Sequence, residues 1–67
     1  MPLRKKINER LDKLEQLMNT NSHLTDPESV LLLTESITKF WSVLSEEDQD
    51  YIHGVRYAVE EGIEWKK

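Results

Sequence analysis

Apolar side chains recur at intervals of three and four along this chain, three times over, and nowhere alternate like a half-buried strand. That periodicity predicts an all-α protein of three helices. With 67 residues there is room for one small domain, 1–67.

The first stripe is Leu3, Ile7, Leu11, Leu14 and Met18, which lie within about 80° of one another on a helix over 3–19. Leu11 and Met18 take heptad position a, and Ile7 and Leu14 take d, giving a coiled-coil-like seam of about two heptads that suits the rest of its own chain as well as a second subunit. Asn19-Thr20-Asn21-Ser22 then breaks the pattern, because these side chains compete for backbone hydrogen bonds. Asp26-Pro27 opens the second helix, with Asp26 suited to the N-cap and Pro27 to the first turn, while Thr25 with Glu28 offers a competing capping box. This helix, over 27–44, carries Val30, Leu33, Ile37, Phe40, Trp41 and Leu44 on one face. Leu31 and Leu32 point elsewhere, so it is apolar on more sides than two other helices cover.

Ser45-Glu46-Glu47-Asp48 is a strong helix start, a serine N-cap followed by acids that suit the positive end of the helix dipole. The third helix, over 46–65, lines up Ile52, Val55, Val59 and Ile63 beside Tyr51, Ala58 and Trp65. Gly62 faces that stripe and offers room to a bulky neighbour such as Trp41 or Phe40, whereas Gly54 faces outward without a packing reason. The hinge around Ser45 is so short that the last two helices are expected as an antiparallel helical hairpin.

A domain this small buries only about 60% of its unfolded surface. The cysteine count is zero, which excludes disulfides, thiolate metal sites and a cysteine nucleophile. Self-association is the remaining means of covering apolar surface. The expectation is a homodimer joined into a helical bundle through Ile7, Leu11, Leu14, Met18, Leu31, Leu32, Phe40 and Trp41.

Catalytic motifs are missing: there is no G-x-S-x-G, no glycine-rich phosphate loop and no H-E-x-x-H. Capping already accounts for Glu46, Glu47, Asp48 and Asp50, and solvation accounts for Glu60, Glu61 and Glu64. His23 sits in the polar loop with no partner nearby in sequence. No enzyme, no cofactor and no metal is expected. His53, Tyr57, Glu60 and Glu64 form one outward strip on the third helix. Together with Trp65 they are the candidate contacts for a partner protein.

Charge sorts the remaining possibilities. Residues 1–25 hold five basic and three acidic side chains; residues 26–67 hold four and ten, so the formal charge of −4 comes from the second part. The third helix would lead with carboxylates into phosphate, so direct DNA binding is not expected. The converse is an acidic inhibitor that presents Glu46, Glu47, Asp48 and Asp50 to a nucleic-acid-binding protein in place of phosphates. The basic start Arg4-Lys5-Lys6 has no signal-length apolar run after it, and Val30-Leu31-Leu32-Leu33 falls far short of the roughly 20 residues that span a bilayer. No membrane partner is expected, and the default location is cytoplasmic.

From Phe40-Trp41-Ser42-Val43-Leu44-Ser45-Glu46-Glu47-Asp48-Gln49-Asp50-Tyr51-Ile52 onward to the end, residues 40–67, the chain resembles short uncharacterised proteins encoded by viruses of marine cyanobacteria. The resemblance carries no assigned site. It implies a small accessory protein in the host cytoplasm, acting on a host or viral macromolecule. The function expected is a non-catalytic protein–protein interaction module, with the acidic inhibitor as the alternative.

Overall fold

The computed structural model describes residues 3–65, and these are all-helical, with no strand among them. Helix α1 spans Leu3–Asn19, α2 Ser22–Thr25, α3 Pro27–Thr38 and α4 Glu46–Glu61, and a 3₁₀ turn, Trp41–Val43, lies between the last two. The terminal Lys66 and Lys67, read as a cationic helix end, lie outside the described residues.

The apolar stripes meet in one core of Ile7, Leu14, Met18, Val30, Ile37, Leu44, Ile52, Val55 and Ala58. Ile7, Leu14 and Met18 are wholly buried within this single chain. The α1 seam expected to join two subunits therefore serves the chain's own interior. Leu11, Phe40 and Trp41 also pack against it, partly buried. Only Leu31 and Leu32 of the expected interface remain exposed.

Two arginines fasten α1 to the rest. Arg4 donates to the Val43 carbonyl at 3.3 Å and pairs with Asp48 at 3.2 Å, while Arg10 donates to the Ser36 carbonyl at 3.1 Å. Asp26 caps α3, accepting from the Ser29 amide at 3.3 Å and the Ser29 hydroxyl at 2.7 Å. Those bonds, the hydroxyl's first, hold the Asp26 carboxyl below its ordinary pKa. Ser45 caps α4 by accepting from the Asp48 amide at 3.2 Å.

The second and third helices are shorter than their periodicity suggests. Helix α3 ends at Thr38 rather than 44. Thr34, Ser36 and Thr38 each donate a hydroxyl to a carbonyl three or four residues back, a local competition that weakens helical continuation. The one-residue hinge at Ser45 is accordingly replaced by a connection over residues 39–45. Gln49 holds that connection from the first turn of α4, donating to the carbonyls of Trp41 at 3.0 Å and Leu44 at 3.4 Å.

Helix α4 stops at Glu61 because Gly62 is left-handed, with φ 64° and ψ 36°. Its amide and that of Ile63 both reach the Ala58 carbonyl, the latter at 3.2 Å, which closes the helix in a Schellman motif. Gly62 is thus a turn residue, with nothing within 4 Å of the Cβ position, and receives no aromatic neighbour.

Candidate functional site: a hollow built by the returning C-terminal strand of chain

Beyond Gly62 the chain runs back along α4. Gly54 lies eight residues, or about 12 Å, up the helix, and three extended residues cover about 10 Å. Trp65 is thereby laid over Gly54, whose added Cβ would stand 3.4 Å from Trp65 Cη2 and 3.6 Å from Cζ3. The outward Gly54 does have a packing reason: its bare surface is the seat of an indole. Tyr51 meets the same indole edge-on, with ring centroids 5.4 Å apart.

Two side chains from the turn before α3 hold the returning segment. Asn21 stands at φ 55°, a left-handed conformation that asparagine tolerates better than most residues. Its Oδ1 accepts the Trp65 amide at 2.9 Å. His23, expected in a solvated loop, is 2% exposed, and its Nε2 lies 2.6 Å from the Ile63 carbonyl. A carbonyl only accepts, so Nε2 carries the proton. The buried Nδ1 has no hydrogen-bond partner among the described residues.

The returning segment and α4 enclose a shallow hollow of about 680 Å³, lined by Gly54, Tyr57, Ala58, Ile63, Glu64 and Trp65. Gly54 and Ala58 are its small residues, Tyr57, Ile63 and Trp65 its aromatic and aliphatic ones, and Glu64 its one carboxylate. Tyr57 is 61% exposed and Ile63 44% exposed, while Trp65 is half-buried. Three of the expected partner contacts, Tyr57, Glu64 and Trp65, come together here.

The other two do not. His53 turns to Trp41, edge to face at 5.2 Å. Glu60 lines a smaller hollow of about 250 Å³ with Leu31, Thr34, Glu35 and Arg56. Glu64 lies beyond the helix end at Glu61 and still meets Tyr57, whereas His53 and Glu60, on the helix with Tyr57, face other neighbours.

A second cleft, about 470 Å³, lies where α1 meets the start of α4, lined by Asn8, Leu11, Asp12, Glu15, Glu47, Asp48 and Tyr51. The acidic residues expected to act as a group are divided here as well. Glu47 and Asp48 line the cleft, Asp48 is tied to Arg4, and Glu46 and Asp50 are not among its walls. Asp12 and Glu15 of α1 join them instead. Tyr51 closes the cleft with a buried hydroxyl that has no partner among the described residues. Burial first, and the Glu15 carboxylate second, push its pKa up to about 12.

Among the described residues no three metal-ligating side chains converge, and no helix is long and apolar enough to cross a membrane. No protein-family model matches the chain, and neither a curated protein nor a solved structure matches it at a significant level.

Periodicity places Ile63 in the apolar row of the third helix, but it lies past the helix end and is exposed; Asn21 and His23 are contributors that periodicity does not reveal. Ile63 had a sequence signal, since glycine followed by an apolar residue at a helix end marks a Schellman turn. Asn21 and His23 act across 44 and 40 residues of sequence, and no local pattern encodes that.

Proposed function

We propose that this chain is a non-catalytic interaction module that binds another protein through the hollow between Tyr57 and Trp65. The observation that carries it is apolar surface fixed in the open: Tyr57 and Ile63 stand exposed beside an indole held by Asn21, Tyr51 and Gly54. Surface aromatics on a rigid support are what partner contacts are built from, since ordering them costs little on binding. The resemblance of residues 40–67 to viral accessory proteins is in keeping with a host or viral protein as the partner and a cytoplasmic setting.

The test is affinity capture by the tagged chain beside its Tyr57→Ser/Ile63→Ser variant, at about 50 and 200 mM salt. The reading expects a protein retained by the parent chain at both salt concentrations and lost by the variant. Equal retention by both would refute it.

The acidic cleft supports a second reading, an inhibitor of a nucleic-acid-binding protein, because α1 adds Asp12 and Glu15 to Glu47 and Asp48. Such binding would fall steeply between those salt concentrations and would be insensitive to the Tyr57 and Ile63 changes. Self-association into a homodimer is proposed through Leu31 and Leu32, the exposed pair on α3. Light scattering at micromolar concentration then returns twice the 7.9 kDa chain mass, and Leu32→Glu returns it to one. A monomer in the parent chain would end that proposal.

A further inference from the structure

The residues around the hollow specify the chemistry of what enters it. We propose that the hollow receives an arginine side chain carried by the partner protein, an inference that rests on reading this hollow as the binding surface.

Tyr57 and Trp65 line one space, yet the indole is packed edge-on against Tyr51 rather than against Tyr57. Two aromatic rings, Tyr57 and Trp65, therefore border an incoming group. Beside Gly54, which the indole covers, Ala58 presents nothing larger than a methyl group to the hollow. Glu64 is the one charged residue in the lining, and no basic side chain lines the hollow among the described residues. Glu61, one turn from Tyr57, is also exposed.

An apolar lining, two aromatic rings and a carboxylate match the parts of an arginine. Its alkyl stem covers apolar surface while the planar guanidinium meets ring faces and accepts a carboxylate as partner. An anionic group would meet Glu64 with like charge. A purely apolar group would cover the rim without giving that carboxylate a partner.

The experiment is an NMR titration of the intact chain with N-acetyl-arginine methylamide, and in parallel with N-acetyl-norleucine methylamide, an uncharged probe of similar length. The arginine probe is expected to shift the amides of Gly54, Tyr57, Ala58, Ile63 and Glu64 together with the Trp65 indole. It should bind at least about threefold more tightly than norleucine, in line with an exposed cation–π contact. That advantage should shrink from about 50 to 200 mM salt.

Glu64→Gln should reduce arginine affinity by about threefold while leaving norleucine unchanged, since only the charged probe uses the carboxylate. Tyr57→Leu, at an exposed position that the core does not need, should reduce arginine binding as well. Lys66→Gln/Lys67→Gln removes the two cations that follow Trp65 in sequence and should leave arginine affinity equal or higher; a fall would contradict the assignment. Equal binding of both probes at the hollow would overturn the arginine preference and leave the binding surface standing. Arginine shifts at Asp12, Glu15 and Glu47 instead would overturn it in favour of the acidic cleft. Silence of the hollow to both probes would overturn the inference and the reading beneath it.

Discussion

Helix α1 and the end of α4 both begin as amphipathic sequence, and they meet opposite fates. In α1 most of the stripe is used up: Ile7, Leu14 and Met18 have no solvent exposure, Leu11 is partly buried, and only Leu3 at the helix start stands open. In α4 the helical part of the stripe serves the core as far as Ala58 and Val59; Gly62 then turns the chain, so that Trp65 packs against the core from the returning segment and Tyr57 and Ile63 stay exposed beside an open hollow. An apolar residue at helical spacing therefore has two destinations. What decides between them is whether the helix continues, and here one left-handed residue makes that decision. The first region supplies stability, and the second supplies a surface.

The contrast breaks most visibly in the core. Leu14→Ala should cost about 2–5 kcal/mol, comparable to the whole stability of so small a domain, and its melting transition should be lost or shifted far downward. By contrast, Tyr57→Leu should leave melting within about 0.5 kcal/mol, as for other exposed positions. His23→Ala comes next. It removes a buried bond to the Ile63 carbonyl and should cost about 1–3 kcal/mol, with Trp65 fluorescence shifting to the red as the indole loosens.

The two glycines should respond with opposite sign. Gly62→Ala forces a side chain into φ 64° and should destabilise by about 1–2 kcal/mol. Gly54→Ala gains helix propensity, and its Cβ meets Trp65 Cη2 at an ordinary contact distance of 3.4 Å. It should stabilise by up to about 1 kcal/mol in chemical denaturation. Destabilisation at Gly54 would mean that the indole sits closer than described.

The smallest effect concerns Tyr51. Because the folded state holds its proton more tightly than the unfolded chain, the contribution is fully present below pH 10 and is lost as pH rises through 10 towards about 12. Tyr51→Phe removes a hydroxyl without a partner, so at pH 7 it should be neutral or slightly stabilising. It should also flatten the alkaline fall in melting temperature. An unchanged alkaline slope would show that Tyr51 does not cause it.

Much of the helical core was legible because it is written in nearest-neighbour periodicity. The α1 stripe, the Asp26 and Ser45 caps and the Ile52–Val55 row follow from spacing and from side chains that reach only three residues. Helix ends were harder to read. Thr34, Ser36 and Thr38 stop α3 by hydroxyl bonds to its own carbonyls, a competition that an apolar pattern running on through Phe40 and Trp41 conceals. The hollow was half legible. Tyr57, Glu64 and Trp65 were identifiable as exposed candidates, but their meeting depends on Gly62 as a turn and on Asn21 and His23 as distant anchors. Spacing alone did not separate a seam for a second subunit from one for the chain's own interior; burial of Ile7, Leu14 and Met18 within the chain is what separates them.

The claim on which the rest depends is that the chain reverses at Gly62 and lays Trp65 on Gly54. Nuclear Overhauser contacts in the intact chain test it most directly. The account predicts cross-peaks from the Hη2 and Hζ3 protons of Trp65 to the Gly54 Hα protons. Sequential helical contacts continuing through residues 62–65, with the indole near Glu61 and no cross-peak to Gly54, would contradict it.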